Sequence, residues 1–567
     1  MNNILFLILR RLRRPLIFII VSFAIAIIGL TLMPGMDDKG QPWHMSIFQA
    51  LYVISYTATT IGFGELPYPF SQAQRIWMTF SIYLTVIPWF YAIGKIITLL
   101  QDPSLRQTMI IENFARNVRQ LKEPFYILCS YGESASLIAK ALDQKGMRAV
   151  VIESQQERLN ELELSDTKSV IPFLCADAKM PENLIRAGVH HPLCIGVVTL
   201  TDNDEVNLAV AVAVKLMNPN LPVLARAERD DIAANMTSFG TDHIINPYTL
   251  FGDQLAIRVH AIGTYILHEW LTDVPGDSIP PPETPPRGQW IVCGYGRFGK
   301  AVVKNLEREH INATIVEAMP QLTGCDKYIL GSGTEAKTLI EAGIENAVGI
   351  VAGTDNDINN LSIVMTAYEL NPKLFVVIRK NKRHNDELFK EFNANITMQP
   401  TDIIAHECLA HMISPLLAQF LVLSRNQSNE WANQLISKLV SKVGELVPET
   451  WGVEINAQKA PAVTELLNKG IDVTLYHLTQ NPADREQQMD LVPLMLVRNN
   501  MPILVPDITT RLALGDCILF CGRPYAKSTL PILLDHVKTL KYIVDGIEIP
   551  DSLVWRWLQS KLKRQVI

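Results

Sequence analysis

Hydrophobic and polar positions along this chain fall into two regimes. In the first hundred residues the apolar positions run together. Residues 15–33, P-L-I-F-I-I-V-S-F-A-I-A-I-I-G-L-T-L-M, contain no charge, and residues 77–100 contain only Lys95. Each run is long enough to cross a bilayer as a helix. Between them lies a shorter apolar stretch, 45–59, too short to span comfortably. It leads into T-A-T-T-I-G-F-G-E-L-P at 57–67, which is too rich in glycine for a helix. Beyond residue 120 the pattern changes. Short apolar runs alternate with stretches of helical period, the pattern of a parallel sheet with crossover helices.

Charge adds orientation. Arg10, Arg11, Arg13 and Arg14 precede the first run, so the N-terminus is expected in the cytoplasm, and the second run returns the chain there. A multi-pass protein of the inner (plasma) membrane, with both termini cytoplasmic, is the expectation. A signal peptide fits less well, because no A-x-A-like site follows the first run. The chain has 567 residues, a mean hydropathy of +0.14 and a net charge of −6. That balance gives no reason to expect a nucleic-acid partner. The eight cysteines all follow residue 100 and are scattered, as buried thiols in a reducing compartment would be. Cys517 and Cys521 share one face of a strand, where packing explains them better than a metal does.

The second regime is duplicated. Residues 125–153 match 289–317. Then T-L-T-D-N-D-E-V-N-L at 199–208 matches A-G-T-D-N-D-I-N-N-L at 352–361, and N-P-N-L-P-V-L-A-R at 218–226 matches N-P-K-L-F-V-V-I-R at 371–379. Ordered matches of this kind mark an internal repeat. In the second copy, Gly294, Tyr295, Gly296, Arg297, Phe298 and Gly299 spell G-Y-G-R-F-G after the strand W-I-V-C, and Glu317 closes the next strand. This is the dinucleotide-binding arrangement: glycines bring the backbone close to a pyrophosphate at a helix start, and the acid can hold a ribose hydroxyl. An acid rather than a nearby arginine favours NAD over NADP, with an adenine nucleotide such as ADP or ATP as the alternative. Thr354 and Asp355, after the fourth strand, complete the candidate set. The first copy is degenerate: Ser130 and Ala135 replace the first and third glycines, while Gly132 and Glu153 are kept. It is a second, weaker nucleotide-site candidate.

With these residues in view, two resemblances become specific. T-T-I-G-F-G-E resembles the potassium-channel filter pattern T-V-G-Y-G-D. The resemblance implies that the carbonyls of Thr60, Ile61, Gly62 and Phe63, with the Thr60 hydroxyl, replace the hydration shell of K+, and that Gly64 turns the chain at the outer mouth. Phe63 lacks the hydroxyl a tyrosine would offer and Glu65 stands in place of the aspartate, which keeps a weakly selective cation channel as the competing reading. One loop per chain implies a homotetramer in the lipid bilayer. Pro88 and Gly94, where an inner helix can kink, are gate candidates. The repeat resembles RCK domains, regulators of potassium conductance. The V-P-D turn and the L-x-x-G-D-x-I-L hairpin within 491–522 look like the small lobe that ends many of them.

The fold class expected is therefore an α-helical two-span membrane pore domain plus α/β: two Rossmann-like RCK domains in tandem and a small C-terminal α+β lobe. The expected boundaries are a pore at 1–100, a linker at 101–123, a first RCK domain at 124–275, a proline-rich connector at 276–288, a second RCK domain at 289–425 and a lobe at 426–567. The resemblance further implies eight RCK units in a cytoplasmic ring that gates the pore on binding nucleotide, with divalent cation, Ca2+ above all, as a family-level option. Two acid clusters, Asp202, Asp204 and Glu205, and Glu228, Asp230 and Asp231, could supply oxygen ligands. Solvated loops and helix caps explain them more simply, and no metal ligand set is assigned. An enzyme is not expected. H-E-C-L-A-H at 406–411 spaces its histidines five apart, on different helix faces, and no catalytic constellation accompanies the nucleotide fold of a would-be oxidoreductase.

Overall fold

The computed structural model describes residues 2–165, 167–272, 283–392 and 394–546. Much of the proline-rich connector and all of the basic tail W-R-W-L-Q-S-K-L-K-R lie outside them. The chain forms two compact units. The first is Met1–Lys122 with Pro172–Leu174 and Arg186–Gly188, and the second is the remainder.

In the first unit, helix Asn2–Leu32 contains the span Leu12–Leu32, and helix Gln72–Leu100 contains the span Gln72–Leu99. The second helix starts five residues before the apolar run does. Ser71 caps it, and Gln74 closes a capping box on Ser71, so the polar turn Q-A-Q-R is recruited into helix. The two long helices are tied together. The Trp77 indole N–H donates to the Ala26 carbonyl at 3.0 Å, and a Cβ on Gly29 would overlap the Trp77 ring. The short apolar stretch forms helix Ile47–Ala58, started by a capping box between Ser46 and Gln49. Within the expected linker, Pro103–Arg119 is a helix that buries Phe114 and Val118.

Beyond residue 122 the chain holds two six-stranded sheets. Numbered in chain order within each sheet, both run 3-2-1-4-5-6. The first sheet is built from Phe125–Cys129, Arg148–Glu153, Phe173–Cys175, Cys194–Thr199, Val223–Arg226 and His243–Ile245. The second is built from Trp290–Cys293, Ala313–Glu317, Ile329–Leu330, Gly349–Ala352, Phe375–Arg379 and Ile396–Met398. Neighbouring strands pair in parallel. The central strands Phe125–Cys129 and Trp290–Cys293 are buried along their whole length, as helices on both faces require. Order reverses between strands 1 and 4, which opens a crevice at their carboxyl ends.

A four-stranded antiparallel sheet follows, in the order Glu449–Glu454, Cys517–Gly522, Leu491–Arg498, Met501–Leu504. Its hairpin turns on Asn499 and Asn500, both left-handed at φ 51° and 62°, as a two-residue type I′ turn needs. Helix Ile262–Thr272, placed by sequence in the first copy, inserts Leu267, Trp270 and Leu271 into the core of this lobe. Helices Pro400–Ile413 and Pro415–Ser424 are apolar because their side chains, Cys408 and Phe420 among them, are buried in protein.

Candidate functional sites

The stretch 57–67 begins where helix Ile47–Ala58 ends. Thr60, Gly62 and Gly64 have φ of 62°, 67° and 95°, so left-handed residues occur at every second position. Thr60 bears a Cβ there at a cost of about 1–2 kcal/mol. The amides of Ile61 and Gly62 donate to the Tyr56 carbonyl at 2.9 and 3.4 Å. The Tyr56 hydroxyl donates to the Gly64 carbonyl at 2.5 Å, and the Phe63 ring stands edge-on to Tyr56 and parallel to Tyr52. The glutamate that follows is anchored as well. Glu65 accepts from the Arg75 guanidinium at 2.8 and 3.1 Å and from the Phe70 amide at 2.8 Å. Sequence reasoning named Thr60–Gly64 and missed Tyr52, Tyr56 and Arg75, whose Y-x-x-x-Y spacing and glutamate–arginine separation were the available signals. Helix Gln72–Leu100 is continuous through Pro88 and Gly94. A Cβ on Gly94 would meet nothing within 4 Å.

In the second copy the glycine loop, Glu317 and Thr354 come together at the crevice. Gly294 is left-handed at φ 93°, and a Cβ on it would stand 3.2 Å from the Gly353 carbonyl group and 3.3 Å from the Thr354 amide. Gly296 caps helix Arg297–Arg308 with nothing within 4 Å of where its Cβ would be, whereas a Cβ on Gly299 would overlap the Gly294 carbonyl oxygen. Glu317 is buried and accepts from the Tyr295 amide at 2.6 Å and the Met319 amide at 2.7 Å. Two bonds leave about half of a carboxylate's four acceptor sites free for a ribose. Three of the predicted side chains point elsewhere. Phe298 is fully buried against Phe251, Arg297 pairs with Glu228, and Asp355 pairs with Arg379 at 2.6 Å.

The first copy repeats this wiring and carries a cleft of about 420 Å³ at the crevice, lined by Ser130, Glu153, Arg158, Lys179, Thr201 and Asp202 among others. Ser130 takes φ 153° where the second copy has glycine. Glu153 accepts from the Tyr131 amide at 2.7 Å and the Gln155 amide at 2.9 Å. Burial alone would raise its pKa. The backbone donors and the Arg158 charge outweigh burial and hold it below the usual carboxylate range.

The T-D-N-D motif is a fastener in both copies. Asn203 and Asn356 cap the helices that follow. Asp204 accepts from the Glu228 and Arg229 amides, and Asp357 from the Asn381 and Lys382 amides. Four more of the cluster acids are engaged: Asp202 and Glu228 by Arg226, Asp231 and Glu205 by Arg229. Among the described residues no group of three or more His, Cys, Asp or Glu is placed to hold a metal ion. His406 is exposed and His411 partly buried, on different faces of their helix. Burial raises the thiol pKa of Cys521.

Residues 126–247 and 290–400 both match the TrkA-N domain family. Each segment is a TrkA-N domain. A protein of Methanothermus fervidus, described only as uncharacterized, is 28% identical over 228 residues, which is 40% of this chain and 35% of that one. Potassium channel protein 1 of Methanocaldococcus jannaschii is 23% identical over 209 residues, 37% of this chain and 61% of that one. The chain thus spans about a third of the first of these relatives and about three fifths of the second. Among solved structures, one described as the GsuK channel bound to NAD shares the fold. It covers 93% of this chain and 98% of its own, with a TM-score of 0.50 and 14% identity. The fold, over nearly the whole chain, is therefore one seen before.

Proposed function

We propose that this chain is the subunit of a ligand-gated potassium channel. Four copies surround one filter made by Thr60, Ile61, Gly62, Phe63 and Gly64, and their eight TrkA-N domains form a cytoplasmic ring that opens or closes the pore on binding nucleotide. The observation that carries the proposal is the left-handed backbone at Thr60, Gly62 and Gly64, between two helices of spanning length. Alternating backbone hand turns successive peptide planes so that their carbonyls line one side, and a dehydrated cation needs such a row of oxygens. The Tyr56 hydroxyl on Gly64 and the aromatic contacts of Phe63 supply the bracing that Phe63 cannot give by hydrogen bonding, which favours K+ selectivity over a weakly selective cation pore.

The nucleotide assigned is NAD in the second copy, at Gly294–Gly299, Glu317, Thr354 and the backbone of Asp355. Its support is the glycine geometry and a neighbour of the same fold described as NAD-bound. The first-copy cleft, at Ser130, Gly132 and Glu153, is a second adenine-nucleotide candidate. Gating is assigned to nucleotide rather than Ca2+, because five of the six cluster carboxylates, all but Asp230, already have partners. The domain limits proposed are those read from the sequence, with the linker 101–123 carrying ring movement to the Gln72–Leu100 helix at Pro88 and Gly94. Ligand does this work only by binding one ring shape better than another. The membrane assigned is the plasma membrane, with both termini cytoplasmic.

The test is flux from proteoliposomes loaded with potassium or sodium, followed with a potential-sensitive dye, with and without NAD. Potassium-driven, NAD-dependent polarisation is expected. Equal responses to both ions would reject the filter assignment, and indifference to NAD would reject the nucleotide assignment.

A further inference from the structure

The two TrkA-N copies meet through equivalent surfaces. The glycine-loop helix of each packs on the last crossover helix of the other: Arg297–Arg308 on Pro247–His260, and Glu133–Gln144 on Pro400–Ile413. Hydrogen bonds fix which positions correspond. Tyr131 and Tyr295 both donate their amides to the acid closing the second strand, so Glu133 is equivalent to Arg297. The amides of Glu228 and Asn381 both donate to the aspartate opening a helix, so E-R-D-D at 228–231 is equivalent to N-K-R-H at 381–384.

At these equivalent places the charges are opposite. In the second copy the helix start is basic, Arg297, and it pairs with buried Glu228 in the acidic segment of the first copy. In the first copy the helix start is acidic, Glu133, and it accepts from the Arg383 amide at 3.3 Å in the basic segment of the second copy. Volumes are matched as well. A Cβ on Gly252 would stand 2.5 Å from the Asn305 amide nitrogen and 2.9 Å from the Ala301 carbonyl oxygen. The equivalents of Gly252 and Asn305 are Ala405 and Ala141.

We infer that this surface selects the unlike copy as its partner, by charge and by volume together. Two first copies would set Glu133 against Glu228 and Asp230, and would leave Gly252 facing an alanine too small to fill the gap. Two second copies would set Arg297 against Lys382 and Arg383, and would drive the Ala405 methyl into Asn305 and the Ala301 backbone. Both like pairings are penalised, which is how a surface refuses a wrong partner. The acidic stretch 228–231 thereby acquires a role, as one half of this code. In an assembly of several chains, the code keeps first and second copies paired with each other and prevents the same copy of two chains from docking.

The test transplants charge between the first-copy helix start and the basic segment of the second copy, in the full-length, detergent-solubilised protein. Glu133→Arg, the pair Arg383→Asp/His384→Asp, and all three together are compared by melting temperature and by amide hydrogen exchange of helices 133–144 and 400–413. The first two variants are each expected to lower the melting temperature by roughly 2–5 °C and to speed exchange at both helices. The triple variant rebuilds the acid–base relation with the partners exchanged, and it is expected to return to within about 1 °C of the parent. A triple variant as destabilised as the sum of the other two would overturn the inference, as would no change in either. Gly252→Ala is an independent variant on the volume half. It is expected to speed exchange in helices 247–260 and 297–308, and unchanged exchange there would remove that half.

Discussion

Two glycines three residues apart in the second glycine loop should answer very differently to the same added methyl group. Gly296 has φ −70° and ψ −165°, a conformation alanine adopts freely, and nothing lies within 4 Å of its missing Cβ. Gly296→Ala stiffens the unfolded chain, which stabilises by about 0.4–1 kcal/mol, and loses a good N-cap residue, which costs about as much. The net change in folding should fall within about 0.5 kcal/mol of zero. Gly299 faces the Gly294 carbonyl oxygen instead, and Gly299→Ala overlaps it. Helix and loop must separate, at the roughly 1–3 kcal/mol typical of overpacking, or roughly 3–10 °C in melting temperature. If the open space at Gly296 is where pyrophosphate crosses the loop, Gly296→Ala should lower NAD affinity at least ~10-fold, equivalent to ~1.4 kcal/mol, while leaving stability untouched. The assays are isothermal titration with NAD and a melting curve on the same protein. A Gly296→Ala protein that binds NAD as the parent does would show that ligand does not approach the backbone at that point.

Three further outcomes are expected. Tyr56→Phe removes the donor to the Gly64 carbonyl and should move the potassium–sodium reversal potential toward zero without reducing the yield of assembled protein, and an unchanged reversal potential would count against Tyr56 as a filter brace. Ser130→Gly relieves a side chain held at φ 153° and should raise the melting temperature, by the ~1 kcal/mol such conformations cost; a lower melting temperature would mean that the serine side chain is needed. His268 is pushed down to about 4 from 6.5, first by burial and then by the Arg425 guanidinium 3.2 Å away. The unfolded chain therefore binds a proton near pH 6.5 that the folded chain refuses until about pH 4, and stability should fall as pH drops through that window. In melts across this range, His268→Gln should lose less than the parent does between pH 6.5 and 4.

The long-range plan of the molecule was legible because each part has a period or a composition of its own. Uninterrupted apolar runs gave the spans, alternating short strands and helices gave the sheets, and ordered repeats at 125–153 and 289–317 gave the duplication. The glycine loop was legible because Gly294 takes a left-handed φ and Gly299 packs on the Gly294 carbonyl, positions where any side chain is strained or overlaps. Side-chain direction was not. Arg297 belongs to the loop by sequence but is held by Glu228, more than sixty residues upstream, and Phe298 turns into the core. Tyr56 and Arg75 were missed because each acts across a turn, on Gly64 and Glu65, and no local pattern records that. The start of the second span was misjudged because Ser71 and Gln74 stabilise a polar turn by capping, which hydropathy does not see. Helix Ile262–Thr272 was placed with its neighbours in sequence, although Trp270 is buried in the C-terminal lobe.

The central claim, one chain that both conducts potassium and reads a nucleotide, comes down to current through a single bilayer. With potassium on one side and sodium on the other, the reversal is expected near the potassium limit, with an open probability that changes when NAD reaches the face bearing the TrkA-N domains. A reversal near zero would contradict the filter at 60–64, and a current indifferent to NAD would contradict the gating assignment.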